Sequence, residues 1–227
     1  MIKRKFFKDL LAKFPWLPYV APFAIFILLT EPARYFPNWS PWLYISKTVI
    51  AAFLLWTFRD YYKEDLSAKL SCRQILEASI VGLLVFGIWI WTEGKLFQLQ
   101  SKNFFYPYAI GNGTVAFIFW MGFRFLGSSL VVPVMEELFW RSMLMRWLIN
   151  PDFKKVPLGT FSWFSFISTA VLFGLEHNRI LAGISAGVFY NLLMIYQKNL
   201  KGVILAHGIT NFGLGIYVIM TKNWIFW

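Results

Sequence analysis

The chain has 227 residues, of which 58% are hydrophobic and only 15% are charged. Soluble domains carry about 25% charged residues, so the polar surface of a soluble globule cannot be built from this composition and lipid has to cover the rest. The formal net charge of +11 does not indicate nucleic-acid binding, because the basic residues stand mostly between apolar runs, where they anchor loops at lipid headgroups.

Eight apolar stretches follow one another along the chain and predict an all-α, polytopic integral-membrane bundle of about eight transmembrane helices. They cover residues 16–30, 42–58, 75–91, 113–134, 138–149, 159–175, 180–196 and 203–220. Because eight spans consume most of the chain, we expect a single membrane domain over residues 1–227. The fifth stretch carries four charged residues, which are costly in a bilayer and mark a functional region.

Lysine and arginine are concentrated in two connections and predict the orientation of the bundle. The segment before the first stretch and the connection between the second and third contain Lys3, Arg4, Lys5, Lys8, Lys13, Arg59, Lys63, Lys69 and Arg73. The first connection has only Arg34, and the third has Lys95 and Lys102. The positive-inside rule therefore predicts a cytoplasmic N-terminus. Eight crossings would place the basic residues of 154–155 and 198–201 outside, so the later loops discriminate less.

The motif Glu136-Glu137-x-x-x-Arg141 places two carboxylates and an arginine in an apolar stretch, after Pro133, which suits a first helical turn. Residues four apart share a helix face, so Glu137 and Arg141 can pair, whereas Glu136 is turned by about 100° and is left free. A free carboxylate in an apolar site can accept a proton from water, as a general base must. The alternative is an acidic pair that only favours the helix dipole.

The chain has two histidines, and each has a chemically relevant neighbour four positions away. His207 and Asn211 share a helix face and both donate hydrogen bonds, so they form a candidate oxyanion hole. Phe173 can pack under the imidazole of His177 and hold its rotamer. A single buried histidine is more often a satisfied core residue. Two of them with a buried acidic pair predict one shared site.

Three spaced motifs, in this order along the chain, resemble those of the CPBP family of intramembrane proteins, which includes the type II CAAX prenyl endopeptidases and the bacteriocin-processing and self-immunity proteins. They are Glu136-Glu137-x-x-x-Arg141, Phe173-x-x-x-His177 and His207-x-x-x-Asn211. The resemblance covers about residues 131–219. The stretch around Tyr190 and Asn191 is similar to the bacterial branch of CAAX prenyl protease-related proteins that accompanies exosortase systems.

The resemblance implies an endopeptidase of the bacterial inner membrane that cuts a membrane-associated protein or peptide near the cytoplasmic face, with exosortase-system components as candidate partners. In the family's mechanism, Glu136 is the general base on a water that His177 also holds. His207 and Asn211 stabilise the oxyanion. The supporting positions are Glu137, Arg141 and Phe173.

Two further function classes stay open. A non-proteolytic binding or immunity protein could use the same cavity, since fold does not fix function. A transporter could use buried glutamate and histidine as a proton relay, although the sequence shows no inverted repeat of the kind that transporters carry.

We expect neither a metal nor another cofactor. The four candidate catalytic residues could ligate Zn²⁺, but the helical His-Glu-x-x-His spacing is absent and asparagine is a poor zinc ligand. Cys72 is the single cysteine, so no thiol cluster is available. Glu176, beside His177, is assigned no direct role, and Arg124 in the fourth stretch has none assigned. Tyr190 and Asn191 either line the cavity or serve helix packing.

Overall fold

The computed structural model describes residues 9–95 and 114–226, and this part of the chain is helical, without a β-strand. We number its long helices α1 (Leu17–Leu28), α2 (Ser40–Thr57), α3 (Cys72–Trp91), α4 (Val115–Trp147), α5 (Trp163–Leu175), α6 (Ile180–Gln197) and α7 (Leu200–Thr221). Short helical turns lie at Pro32–Tyr35, Pro37–Trp39, Arg59–Tyr62, Phe153–Lys155 and Trp224–Phe226. By length and composition, α3, α4, α6 and α7 can each cross a membrane, and α1 and α5 are shorter apolar helices. The predicted all-α membrane bundle is confirmed.

Helix α4 differs from the sequence prediction, because it joins the fourth and fifth apolar stretches into one helix of 33 residues. The charged residues of the fifth stretch lower the local hydropathy. The sequence pattern therefore indicates a boundary between two helices at this point. Two wider-turned π segments, Gly127–Val131 and Leu138–Leu144, lie on either side of Glu136. Pro133 therefore does not begin a helix. It is the second residue after the π segment that ends at Val131, where the irregular hydrogen-bond ladder accommodates a residue without an N–H.

Contacts between loops sort the helix ends into two sets. At one end, Asn199 Nδ2 donates to the Lys69 carbonyl over 3.2 Å, and Arg73 Nη2 donates to the Tyr196 hydroxyl over 2.5 Å. We call this the basic end. It holds the starts of α1, α3, α5 and α7 and the ends of α2, α4 and α6.

The other end of the bundle is the Arg179 end. Arg179 lies in the α5–α6 connection, forms an ion pair with Glu93 just beyond α3, and donates to the Ile225 carbonyl beyond α7 over 2.9 Å. The end of α1 and the first half of α2 also meet here, since Lys47 Nζ donates to Thr30 Oγ1 over 2.7 Å. The described helices thus run alternately between two ends.

Small residues bring the helices of the site into close contact. A Cβ added to Gly82 of α3 would lie 2.5 Å from the Ala206 carbonyl oxygen of α7, and one on Gly187 of α6 would lie 2.8 Å from the Ala170 Cα of α5. Backbones approach this closely only where side chains are absent, as in other membrane bundles. The packing places the middle of α7 against both α3 and the buried face of α4.

Asp65 holds the basic end together. Its side chain is 2% exposed and accepts hydrogen bonds from the Tyr19 hydroxyl at 2.5 Å, the Ser142 hydroxyl at 2.9 Å and Arg146 Nη2 at 2.9 Å. These partners stand on α1 and α4, whereas Asp65 lies in the connection between α2 and α3. One carboxylate therefore links three parts of the chain.

We expect Asp65→Ala to lower the free energy of unfolding by about 3–5 kcal/mol, because it leaves the buried Arg146 guanidinium without its counter-charge. The measurement is reversible unfolding in detergent, followed by circular dichroism. Asp60→Ala is the control, since the Asp60 side chain is 61% exposed and pairs with exposed Lys63. Equal effects of the two substitutions would contradict the role given to Asp65.

Candidate active site

A cavity of about 160 Å³ lies inside the bundle. Glu136, His177, His207 and Asn211 all line it. Its other lining residues are Trp89, Arg124, Ser128, Val132, Phe173, Ala186, Tyr190, Thr210, Leu214 and Phe226. A water molecule occupies about 30 Å³ in the liquid, so the cavity has room for several waters beside these polar groups.

Glu136 faces the cavity with one unoccupied carboxylate oxygen. The residue is 5% exposed, and Oε2 has no hydrogen-bond partner within the described ranges. The nearest ring nitrogen, His207 Nε2, lies 3.9 Å from Oε2, which is beyond a direct hydrogen bond. The carboxylate can therefore accept a hydrogen bond from water in the cavity.

Glu137 points into the packed interior and is fully buried. Its Oε1 accepts a hydrogen bond from Arg141 Nη1 at 3.1 Å, the pair expected from the spacing of four. The same oxygen accepts a second hydrogen bond, from His207 Nδ1 at 2.8 Å. Because a carboxylate only accepts, Nδ1 carries a proton, and His207 Nε2 donates only when the ring holds a second proton. Glu137 thus orients both the arginine and the imidazole.

Arg141 is held by α6 as well as by Glu137. Arg141 is 1% exposed, and the Nε of its guanidinium donates to Asn191 Oδ1 over 3.1 Å. The Asn191 amide donates in turn to Thr169 Oγ1 over 2.8 Å. Asn191 therefore supports Arg141 from behind and does not line the cavity. The sequence motifs do not predict this contact, because Arg141 and Asn191 lie on different helices.

Aromatic rings fix the two imidazoles. The Phe173 ring centroid lies 4.8 Å from that of His177 and 6.0 Å from that of His207, so one phenyl group contacts both. Tyr190 stacks on His207 at 5.1 Å, with an interplanar angle of 26°. Trp89 packs edge-on against His177 at 5.2 Å. The expected placement of Phe173 under His177 is found, and Tyr190 lines the cavity.

The polar atoms of His177 and Asn211 are partly committed to the backbone. His177 Nδ1 donates to the Phe173 carbonyl oxygen over 2.7 Å. Because a carbonyl only accepts, the neutral ring presents the lone pair of Nε2, which can accept a hydrogen bond from water. Asn211 Nδ2 donates to the Ser128 carbonyl over 2.8 Å, which uses one of its two amide hydrogens. The second amide hydrogen remains for a ligand.

Arg124 and Glu176, the two charged residues without a role in the sequence prediction, both lie near the site. Arg124 lines the cavity, with its Cζ 4.4 Å from the Tyr44 ring centroid. Glu176 is half-buried beside the indole of Trp140. Neither position could be assigned from spacing, because the contacts come from distant helices.

Metal-ligand geometry is not formed within residues 9–95 and 114–226. In these ranges, no three His, Cys, Asp or Glu side chains are grouped so that they could hold a metal ion. Both imidazoles use Nδ1 for protein hydrogen bonds, which leaves only their Nε2 atoms for other ligands. Metal-free catalysis stays a prediction.

We expect Arg141→Met to lower the free energy of unfolding by about 3–5 kcal/mol, since it strands the Glu137 charge in the interior. Arg73→Met is the matched control. Arg73 and Glu77 form a salt bridge with the same spacing of four, but the Arg73 side chain is 77% exposed, so the loss should be below about 1 kcal/mol.

The measurement is unfolding in detergent, with the double variant Glu137→Gln/Arg141→Met included. The double variant should lose less free energy of unfolding than the sum of the losses of the two single variants, because each single substitution already removes the same interaction between the two side chains. Additive losses would show that the two side chains act independently.

Comparison with known families supports the motif-based resemblance. Residues 118–213 match the family model described as type II CAAX prenyl endopeptidase Rce1-like. The matched segment contains all three motifs and so covers the four polar residues of the cavity. No curated protein and no solved structure matches the chain. The apolar helices and this match together indicate a multi-pass membrane protein in which residues 118–213 are similar to the Rce1-like domain of type II CAAX prenyl endopeptidases.

Proposed function

We propose that the protein is an intramembrane endopeptidase that hydrolyses a peptide bond of a membrane-associated protein or peptide. The observation that carries this proposal is the convergence of Glu136, His177, His207 and Asn211 on one cavity between apolar helices. These four groups supply the parts that amide hydrolysis needs, namely a base, a water site and hydrogen-bond donors for the oxyanion.

Glu136 begins the reaction by accepting a proton from water at its free Oε2. The water oxygen bonds to the carbonyl carbon of the substrate, and the electron pair of the C=O double bond moves to oxygen. When the tetrahedral intermediate collapses, the C–N bond breaks, and the leaving nitrogen takes the proton back from Glu136. The carboxylate thus ends the cycle as it began, and atoms and charge balance without a co-reactant.

His177 positions the water. Its Nδ1 proton is held by the Phe173 carbonyl, so Nε2 can accept a hydrogen bond from the same water that donates to Glu136. The ring is held by Phe173 and Trp89, which limits its rotation. A fixed acceptor aligns the water lone pair with the substrate carbonyl, which contributes through orientation.

Asn211 and His207 stabilise the oxyanion. The remaining amide hydrogen of Asn211 donates at any pH, whereas Nε2 of His207 donates only from the doubly protonated ring. The negative charge of Glu137, 2.8 Å from Nδ1, stands on the side of the ring away from the substrate. Glu137 and Arg141 are therefore positioning residues in this mechanism, because neither lines the cavity.

The resemblance to the family and the distribution of basic residues support a proposal for the location, orientation and partners of the protein. We propose a bacterial inner membrane with a cytoplasmic N-terminus, and exosortase-system components as partners. The basic residues before α1 support the orientation, and the stretch around Tyr190 and Asn191 supports the exosortase-associated branch.

We expect Glu136→Gln to reduce cleavage at least about 100-fold, because the amide cannot take the proton from water. Substrates are found by mass spectrometry of new protein termini in membranes that contain either wild type or variant. Glu64→Gln is the matched control, since Glu64 is an exposed acid in the α2–α3 connection and should leave the termini unchanged.

Termini that persist in Glu136→Gln would remove Glu136 as the base. If wild type yields no new terminus but retains a bound membrane protein on purification, the binding or immunity function replaces the peptidase.

We expect the purified enzyme to keep its activity after prolonged dialysis against a strong chelator, since we propose that no metal takes part. The measurement is the initial rate of cleavage of a substrate peptide derived from the identified terminus. A loss of rate that added Zn²⁺ restores would contradict metal-free catalysis.

A further inference from the structure

The cavity extends from the catalytic centre in one direction only. On α4, which runs toward the basic end, the lining residues Arg124, Ser128 and Val132 all precede Glu136. On α7, which runs the other way, the lining residues are His207 and three residues that follow it, namely Thr210, Asn211 and Leu214. Both helices therefore place the cavity between the catalytic centre and the Arg179 end.

The remaining helices give the same direction. Trp89 stands near the end of α3, and Phe226 lies beyond α7, both at the Arg179 end. Phe226 also packs under the Arg179 guanidinium, with its ring centroid 4.4 Å from Cζ. On α6, which runs toward the basic end, no lining residue follows Tyr190.

Toward the basic end, layers of packed polar side chains close the cavity. Glu137, Arg141 and Asn191 are each at most 1% exposed and fill the space directly below the catalytic centre. Below them lies the cluster of Ser142 and Asp65, which are 0% and 2% exposed. These side chains are bonded to one another or to the backbone, so neither water nor a peptide passes between them without breaking the network.

The continuous helix α4 changes how the positive charges are distributed across the membrane. It replaces two crossings by one, so the basic residues of 154–155 and 198–201 move to the same end as the basic α2–α3 connection. The basic end then includes Lys13, Arg59, Lys63, Lys69, Arg73, Arg146, Lys154, Lys155, Lys198 and Lys201. Among the described residues at or beyond the helix ends on the other side, the cations are Arg34, Lys95, Arg179 and Lys222, of which Arg179 is paired with Glu93. The positive-inside rule makes the basic end cytoplasmic.

From these two observations we propose that the catalytic cavity opens to the non-cytoplasmic side of the membrane. Its substrates are then membrane-associated proteins whose cleavage site lies in, or is exposed from, the outer half of the bilayer. This replaces the expectation of cleavage near the cytoplasmic face. The statement about substrates rests on the proposed peptidase function, whereas the orientation and the opening do not.

Orientation is tested first with the natural cysteine. Cys72 is exposed at the basic end and is the single cysteine of the chain. In right-side-out membrane vesicles, a membrane-impermeant maleimide should label wild type only after detergent is added. The variant Cys72→Ser/Lys222→Cys, with its thiol at the Arg179 end, should be labelled without detergent. The reverse pattern would overturn the orientation.

The opening is tested with two leucines on α7. Leu214 and Leu200 each lie seven residues from His207, in opposite directions, and are 7% and 0% exposed. In the Cys72→Ser background, a small charged methanethiosulfonate should modify Leu214→Cys in right-side-out vesicles. It should modify Leu200→Cys in neither right-side-out nor inside-out vesicles.

Ser128→Cys, a nearly isosteric change on the cavity wall of α4, provides a second reporter if Leu214→Cys does not fold. Modification of either cavity thiol from the inside-out face alone, or from neither face, would overturn the proposal. Because thiol labelling requires no proteolysis, a failed peptidase assay and a failed orientation remain distinguishable.

Discussion

The site depends on one buried carboxylate oxygen, Oε1 of Glu137, which accepts hydrogen bonds from Arg141 at 3.1 Å and from His207 at 2.8 Å. A charge in an apolar interior is stable only when it is paired and hydrogen-bonded. Arg141 provides the counter-charge for Glu137 but requires further acceptors itself, and Asn191 supplies one from α6. The need to satisfy a single carboxylate therefore ties α4, α6 and α7 together, and it fixes which nitrogen of His207 faces the cavity.

The two adjacent glutamates show how a helix directs neighbouring side chains into different surroundings. A rotation of about 100° per residue turns Glu137 toward its buried partners and leaves Glu136 on the cavity wall. The strong partners of Glu137 hold this rotation in place, so the free oxygen of Glu136 is a consequence of its neighbour's bonds. A π segment on each side of the pair lets the same helix change the direction of its faces without ending.

The parts of the site that the sequence predicts are those with local geometry. The spacing of four places Glu137 beside Arg141 and Phe173 beside His177, because one helix supplies both members of each pair. The contact of His207 with Glu137 joins residues 70 positions apart, and that of Arg141 with Asn191 joins residues 50 apart. No helical period encodes such contacts. The extent of α4 could not be predicted from hydropathy either, since its charges face the protein and not the lipid.

The polar layers below the site have an effect beyond stability. A protease inside a bilayer has to admit water to one region and exclude it from the rest, since a continuous polar path would leak ions. Here Glu137 is hydrogen-bonded to Arg141, and Asp65 is hydrogen-bonded to Ser142 and Arg146. Glu137 and Arg141, which hold His207 in place, thus also belong to the packed polar layers between the cavity and the basic end. In the proposed peptidase, the bonds that position the candidate catalytic residues therefore also decide from which side a substrate reaches them.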